Sequence, residues 1–223
     1  MSTTFSALPR NLQTLADLLN HLGGVPPERV RWQPSPGMAQ EQDALTYHHQ
    51  KRWMELVDGV LVEKSRSFRE SFLSCVVIEA IRTFLRQTPL GTVMGEGTVL
   101  RLGNGIVRIP DITYFSREKL PNRLLRSAPL PFTVPDLAVD ILGPTNTRLE
   151  LRRKGQDYFG AGVPMVWIID PVNTVVEVMT SVTNLVQVTR DKALSGGTIL
   201  PGFILPLRSL FVEVNSTFGT PPK

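Results

Sequence analysis

Cysteine is the rarest residue type in this sequence, since Cys75 is the single cysteine among 223 residues. A single cysteine excludes a disulfide within the chain and a zinc site built from cysteines, and it is typical of proteins in a reducing compartment. No apolar run approaches the length of a membrane span, and the first residues lack the basic and then apolar pattern of a signal peptide. We therefore expect a cytoplasmic protein with no membrane partner.

Charge of either sign is not in large excess. The 24 lysines and arginines against 20 aspartates and glutamates give a formal net charge of +4 and a pI near 9.5. This excess is compatible with a polyanionic partner, but it is common in proteins that bind no nucleic acid. The sequence also contains no helix-turn-helix or zinc module that would name a DNA target. Composition predicts one sizeable core and leaves the partner open.

Residues 1–50 are predicted to form an N-terminal helical arm. Leucines repeat at helical spacing over residues 11–22, and Gly23-Gly24 ends that helix. From there to residue 50, proline, glycine and glutamine dominate and periodicity is weak, which indicates an arm or linker rather than part of the core. We expect the core over residues 51–215 and a disordered tail over residues 216–223.

The core reads as an α/β fold, with strand and helix patterns following one another. In chain order we predict a hairpin over residues 53–63 around Asp58-Gly59, a helix over 68–85 and a second hairpin over 91–116 around residues 103–105. A strand over 136–142 follows, and then a helix from Arg148 after a capping box at Thr147 and Glu150. The last predicted elements are a strand over 163–171 and β-rich segments after Pro171. Residues 117–135, with Arg123 and Arg126, are predicted to be a basic loop, which is either a solvated connection or a phosphate contact.

Acidic residues interrupt strands that should be apolar throughout. Asp111 lies inside a β-branched and aromatic run, and Asp136 and Asp140 lie on one face of the strand over residues 136–142. An isolated ionised carboxylate is costly in such surroundings. The interruptions therefore predict a functional site, with Asp111 and Asp140 on neighbouring strands.

Two helical side chains are candidates to complete that site. Lys154 lies on the core-facing stripe of its helix with Leu151 and Tyr158, although a lysine there can also lay its stem on the apolar surface and leave its ammonium in water. Glu70 projects from the buried face at the first turn of the helix over 68–85. It either interacts with the helix N-terminus or points at a site beside the sheet.

Two carboxylates with a lysine over them are suited to bind a divalent metal. Oxygen ligands of this kind hold Mg²⁺ or Mn²⁺, with water and substrate phosphate completing the shell. Such a metal neutralises charge on a scissile phosphate, and an ammonium beside it stabilises the transition state. The residues predict metal-assisted phosphodiester hydrolysis, although carboxylate pairs of this kind also occur as structural salt-bridge partners.

An ordered set of short motifs resembles the Uma-two family of restriction endonucleases, a branch of the PD-(D/E)XK nuclease superfamily. The motifs are ELVDGVLVE from Glu55, PDITY from Pro110, DLAVD ending at Asp140, KGQDYFGAGV from Lys154 and VWIIDP from Val166. The resemblance covers roughly residues 50–213. It implies a restriction-endonuclease-like core, with a mixed β-sheet flanked by helices, and a metal-dependent site acting on DNA.

Carried over residue by residue, the resemblance implies that Asp111 and Asp140 bind the metal. Lys154, displaced from the strand onto the next helix, would be the catalytic cation. Asp140 stands where the family usually has glutamate, and Leu142 stands where many superfamily members carry the lysine. We assign Glu70 as an auxiliary ligand or a contact to metal-bound water.

Two other acids are predicted to have structural roles. Asp136 is expected to fix the start of its strand, and Asp170 is expected to form an Asp-Pro turn.

The leading hypothesis is therefore a Mg²⁺- or Mn²⁺-dependent DNA endonuclease. The alternative is a catalytically inactive nuclease-fold protein that serves as a DNA-binding or oligomeric scaffold. A third reading is an interaction protein whose N-terminal arm docks on another chain. Because cutting both strands of a duplex favours two symmetry-related sites, we expect a homodimer.

Overall fold

The computed structural model describes residues 8–9, 11–64, 67–103, 105–120 and 134–219. Its α-helices are α1 (Leu15–His21), α2 (Glu41–His49), α3 (Phe68–Gln87), α4 (Arg148–Gly160) and α5 (Leu207–Phe218). Its strands are β1 (Met54–Val57), β2 (Val60–Glu63), β3 (Gly91–Met94), β4 (Leu100–Gly103), β5 (Ile106–Arg108), β6 (Ile112–Ser116), β7 (Leu137–Ile141), β8 (Met165–Asp170), β9 (Val175–Met179), β10 (Leu185–Thr189), β11 (Ala193–Ser195) and β12 (Ile204–Pro206). A 3₁₀ turn occupies Pro27–Arg29.

Two larger sheets contain ten of these strands, and β11 and β12 pair as a separate two-stranded sheet. A four-stranded sheet has the order β2-β1-β5-β4, and a six-stranded sheet has the order β10-β9-β8-β7-β6-β3. In the larger sheet β7 and β8 run parallel and are joined through α4, whereas the other neighbours are antiparallel. The predicted α/β class, with a mixed sheet flanked by helices, is confirmed.

Alternation along β7 divides the larger sheet into two packed faces. Leu137, Val139 and Ile141 enter the apolar cluster that includes residues of α3 and α5. Ala138 packs on the opposite face, in the cluster with residues of α4. Because side chains alternate between faces along a strand, Asp140 belongs to the α4 side. The predicted strand thus delivers Asp140 to the helix that carries Lys154.

The second predicted hairpin divides between the two sheets. β4 pairs with β5 as expected, but β3 pairs with β6 in the larger sheet. The chain passes from one sheet to the other between Arg108 and Ile112, where Pro110 has no backbone N–H to donate to a neighbouring strand. Asp111 was predicted inside a continuous strand, and that placement is wrong, because Asp111 lies in the short link between β5 and β6.

The predicted N-terminal region contains one helix that was expected and one that was not. Thr14 caps α1, whose position agrees with the leucine pattern. Helix α2 was not predicted; it packs against the first hairpin and has Ala44 as its one buried residue. One buried position in nine residues leaves almost no helical periodicity to detect. A domain boundary at residue 50 stays a prediction.

An ion pair fastens the N-terminal region to α4. The Arg29 guanidinium binds both oxygens of Glu150 at 2.8 Å, and both side chains are buried. Thr147 accepts a hydrogen bond from the Glu150 N–H, so the predicted N-cap of α4 is confirmed. The Glu150 side chain, expected to complete a capping box, contacts Arg29 instead.

The C-terminal helix α5 was not predicted, and it begins directly after Pro206. Leu207, Leu210, Phe211 and Val214 form its buried stripe. That spacing is helical, but the preceding β-rich segments favoured continued strands. The helix runs to Phe218, so residues 216–218 of the predicted tail are helical.

Some predicted segments lie outside the described residues. These are residues 220–223 of the tail and residues 121–133 of the basic loop, including Arg123 and Arg126. Within the described residues, no helix is both long and apolar enough to cross a membrane.

Candidate functional site

Asp111 and Asp140 meet where β6 and β7 run side by side. Ile112 is the partner of Val139 in the ladder, so the residues before and after them, Asp111 and Asp140, are adjacent. The Asp111 N–H donates to the Val139 carbonyl at 2.9 Å, and Asp111 Oδ2 accepts from the Ile141 N–H at 2.7 Å. These two backbone hydrogen bonds on either side of Asp140 fix the Asp111 carboxylate beside β7.

Lys64 supplies a cation to both carboxylates. It follows the last residue of β2, and its Nζ lies 2.8 Å from Asp111 Oδ1 and 3.8 Å from Asp140 Oδ1. The same ammonium donates to the Ile109 carbonyl at 2.7 Å. The Lys64 side chain is only 4% exposed. Two oxygens from the link between β5 and β6 and one from β7 therefore surround one buried positive charge.

Lys154 is a second lysine that contacts the same oxygen of Asp140. Its Nζ lies 3.5 Å from Asp140 Oδ1 and 2.9 Å from Glu55 Oε1, and the residue is 1% exposed. Burial alone would lower the pKa of Lys154, but the carboxylates of Asp140 and Glu55 raise it above its usual range. Lys154 is therefore a charged, internal partner of these two acids.

Burial and the neighbouring cations shift the pKa of Asp140 in opposite directions. Burial raises the pKa of Asp140, while the ammonium groups of Lys154 and Lys64 lower it, and the net shift is upward. The Tyr158 hydroxyl donates to Asp140 Oδ2 at 2.9 Å. Burial and the charge of Asp140 hold the Tyr158 pKa well above its usual range, so the phenol remains a donor.

A second layer of ion pairs holds Glu55 in place. Arg108 Nη1 contacts Glu55 Oε2 at 2.9 Å, and Arg108 Nε donates to Asp157 Oδ2 at 2.9 Å. The Ile109 N–H donates to Glu55 Oε1 at 3.0 Å. Burial would raise the pKa of Glu55, but Lys154 and Arg108 lower it far below its usual range.

The ion pairs form one buried chain of alternating charge. In order it runs Asp157, Arg108, Glu55, Lys154, Asp140, Lys64, Asp111. These residues comprise four carboxylates and three cations, and Arg153 adds a fourth cation at 3.5 Å from Asp157. At the Asp111 end, the carboxylates of Glu70 and Glu96 lie nearby and favour a cation there.

A pocket of about 310 Å³ opens at that end. Its lining includes Asp111, Glu70, Glu96 and the exposed Phe68 at the start of α3. Burial raises the pKa of Glu70, and the nearby Asp111 carboxylate raises it further, whereas a hydrogen bond of 2.7 Å from the Ser67 hydroxyl lowers it. Glu70 thus faces the same pocket as Asp111.

Gly143 leaves the space that Glu70 occupies. A Cβ at Gly143 would overlap Glu70 Oε1. We expect Gly143→Ala to lower the free energy of unfolding by about 1–3 kcal/mol, because the carboxylate is forced out of its place. Urea denaturation measures the change.

Two further variants show whether the Gly143 effect comes from this clash. Gly160→Ala adds a methyl group where nothing lies within 4 Å, and it should be neutral or slightly stabilising. Glu70→Ala should remove most of the cost of Gly143→Ala in the double variant. Additive effects of the two substitutions would contradict the clash.

The structure brings most of the predicted site residues together. Asp111, Asp140 and Lys154 belong to one ion-pair chain, and Glu70 lines the pocket that Asp111 also lines. Asp136 instead accepts from the Ser116 N–H and pairs with Lys119, as expected for a residue that fixes the start of its strand. Asp170 accepts from the backbone N–H groups of Val172 and Asn173, as expected for the turn.

The comparisons with known proteins agree with this architecture. The model of the Uma2 family, described as "Putative restriction endonuclease", matches residues 39–208. The chain belongs to the Uma2 family. The resemblance inferred from the motifs is thereby confirmed.

A solved structure shares the fold of this Uma2 protein. It is described as a putative nuclease belonging to DUF820 from Anabaena variabilis, and its TM-score is 0.67 at 18% identity over 74% of this chain and 92% of that one. At that identity, the likeness shows a common fold. A search among curated proteins found no match.

Sequence reasoning on this Uma2 protein missed four charged residues of the network, which are Glu55, Lys64, Arg108 and Asp157. Lys64 and Arg108 were overlooked because only acids were treated as interruptions of strands, although Arg108 lies within β5 and Lys64 continues the face of Val60 and Val62 by the period-two rule. Glu55, an acid within β1, met the criterion but was given no role. The same criterion, applied to cations and to β1, would have found Glu55, Lys64 and Arg108.

The oxygens around Lys64 also fit a hard divalent cation. Asp111 Oδ1, Asp140 Oδ1 and the Ile109 carbonyl already surround one cationic group. Over the described residues, no group of three or more His, Cys, Asp and Glu side chains is arranged to hold a metal. Mg²⁺ is commonly held by one or two carboxylates, with water and substrate phosphate completing the shell. Two carboxylates and a carbonyl therefore fit such an ion.

Proposed function

We propose that this Uma2 protein is a metal-dependent endonuclease that hydrolyses phosphodiester bonds of DNA. The observation that carries the proposal is the convergence of Asp111 Oδ1, Asp140 Oδ1 and the Ile109 carbonyl on one cation position. Membership of a family described as restriction endonucleases supports nuclease activity in general. The metal and the DNA substrate are the finer parts of the proposal.

Asp111 and Asp140 would hold Mg²⁺ or Mn²⁺, with the Ile109 carbonyl beside them. When bound, the ion would activate water and neutralise charge on the scissile phosphate. The hydrogen bond from the Ile141 N–H leaves Asp111 Oδ1 directed at the cation position, because Oδ2 is the atom that accepts it. Hydrolysis adds water across a P–O bond, and the departing oxygen takes up a proton.

The role of Lys154 as catalytic cation stays a prediction. Its ammonium contacts Asp140 and Glu55. These contacts favour an action through Asp140: the ammonium keeps the carboxylate ionised and oriented, as Tyr158 does from the other oxygen. Such support matters because a carboxylate must be deprotonated to bind a metal.

Glu70 would act in the pocket beside Asp111. Its carboxylate lines the 310 Å³ space into which a phosphate group must fit. As a second acid facing that space, Glu70 would accept hydrogen bonds from water or serve as an auxiliary metal ligand. Phe68, 89% exposed at the rim, offers a flat apolar surface to a nucleobase.

Cleavage of plasmid DNA tests the proposal. We expect wild-type protein to nick or linearise supercoiled DNA with Mg²⁺ or Mn²⁺ and to lose this activity with a chelator. Asp140→Asn should lower the rate by roughly 10²-fold, because it weakens a site that contributes several kcal/mol. Asp136→Asn makes the same change four residues earlier on the same strand face and should retain activity.

Folded wild-type protein that cleaves no DNA with any of these ions would contradict the proposal. So would cleavage that Asp140→Asn and Asp136→Asn impair equally.

The second candidate is an inactive nuclease-fold protein that binds DNA as a scaffold. Lys64 favours it, because an ammonium between Asp111 and Asp140 offsets their charge without a metal. This candidate predicts DNA affinity that falls with salt and is unaffected by Mg²⁺. The proposed homodimer and the cytoplasmic location stay predictions, and a mass measurement in solution tests the first.

A further inference from the structure

Lys64 has ion pairs with both proposed metal ligands. Its ammonium contacts Asp111 at 2.8 Å, lies 3.8 Å from Asp140 and donates to the Ile109 carbonyl. These are the oxygens proposed to hold the divalent ion. Two cations cannot share them, because both need the same lone pairs and their charges repel each other.

We propose that Lys64 is an internal competitor for the divalent cation and leaves this oxygen set when the metal binds. The inference rests on the proposed function, since it concerns the same metal. Lys64 is then a positioning residue: it keeps Asp111 and Asp140 close together while no metal is bound.

The other buried lysine is not arranged to compete. Lys154 is nearer to Glu55, at 2.9 Å, than to Asp140, at 3.5 Å, and Arg108 holds Glu55 from its other oxygen. A cation entering between Asp111 and Asp140 leaves the Lys154–Glu55 pair intact. Both ammonium groups contact Asp140 Oδ1, but Lys64 also contacts Asp111 Oδ1 at 2.8 Å, so Lys64 is the one that an ion shared by the two carboxylates displaces.

The pocket beside Asp111 can accept the displaced Lys64 ammonium. The pocket beside Asp111 has a volume of about 310 Å³ and is lined by Glu70, Glu96 and serine hydroxyls. The acids attract an ammonium, and the space is the one proposed to receive a DNA phosphate. Lys64 would thus move from a carboxylate contact towards the substrate anion when the metal enters.

Titration of Mn²⁺ into three proteins tests the competition. We expect Lys64→Met, which keeps most of the side-chain length and loses the charge, to bind Mn²⁺ at least tenfold more tightly than wild type. Lys119→Met makes the same change at a lysine that pairs with Asp136 outside the site, so its affinity should equal that of wild type. Equal or weaker binding by folded Lys64→Met would overturn the proposal.

Chemical labelling of wild-type protein gives a second measurement that needs no variant. We expect saturating Mg²⁺ to increase acylation of the Lys64 amine several-fold, measured by mass spectrometry, while Lys154 stays protected. If titration shows that the ion binds but Lys64 labelling is unchanged or reduced, the displacement is wrong and the metal-dependent function stands. If neither wild type nor folded Lys64→Met binds the ion, both proposals fail.

Discussion

Replacing Asp111 with asparagine is expected to abolish measurable Mn²⁺ binding and to lower the rate of DNA cleavage by roughly 10³-fold. The magnitude follows because a catalytic metal supplies several kcal/mol of charge stabilisation, and each 1.4 kcal/mol or so is a factor of ten in rate. Asp111 Oδ1 lies 1.0 Å closer to the ammonium in the cation position than Asp140 Oδ1 does, at 2.8 Å against 3.8 Å. We therefore expect the larger loss at Asp111.

Asparagine is the appropriate replacement because it can keep the backbone hydrogen bond. Its amide oxygen can accept from the Ile141 N–H as Asp111 Oδ2 does, while its NH₂ group faces the cation and cannot bind it. The variant also loses a buried ion pair with Lys64, so circular dichroism must show that it is folded at the assay temperature. Asp136→Asn is the matched control.

Calorimetric titration and plasmid cleavage together separate the possible outcomes for Asp111→Asn. Loss of both metal binding and cleavage by a folded variant agrees with a metal ligand. Retention of tight Mn²⁺ binding would remove Asp111 from the ligand set, even if cleavage were lost.

Replacing Arg108 with methionine is expected to lower the free energy of unfolding by about 3–5 kcal/mol. Arg108 is 3% exposed and binds Glu55 and Asp157, which are also buried. Its removal leaves two carboxylates with less compensation in a region from which water is excluded. A buried charge that loses its partner costs more than the pair contributed, and this accounts for the size of the effect.

Urea denaturation of Arg108→Met measures the loss, with the slope of the transition checked for a change in cooperativity. Arg208→Met is the matched control, because Arg208 pairs with Asp191 where both side chains are largely exposed. That control should change stability by no more than about 0.5 kcal/mol. A loss below about 1 kcal/mol for Arg108→Met would show that the network relaxes or admits water.

A double variant tests whether the cost of losing Arg108 comes from its acidic partners. Asp157→Asn removes one of the two charges that Arg108 compensates, so adding it to Arg108→Met should recover part of the lost stability. Purely additive losses would mean that packing of the long side chain, rather than charge, dominates.

The sequence alone was sufficient for several local elements and for the family. The Asp58-Gly59 turn and the Thr147 cap each depend on residues within a few positions of one another, and such short-range preferences act before distant segments meet. The strand with Asp140 was recognised because acids stand out in apolar runs. The order of these motifs was specific enough to indicate the family and its fold.

Only the tertiary structure decided what surrounds those acids. Whether β3 pairs with β4 or with β6 depends on which sheet the chain joins after Pro110, and no local pattern records that choice. Lys64 reaches Asp111 across 47 positions of sequence, and Arg108 reaches Asp157 across 49. An ion pair between such distant residues exists because packing of strands and helices brings them together, so its members appear in the sequence only as separate charges. The sequence therefore determined that Asp111 and Asp140 interrupt apolar runs, and the fold determined which cation lies between them.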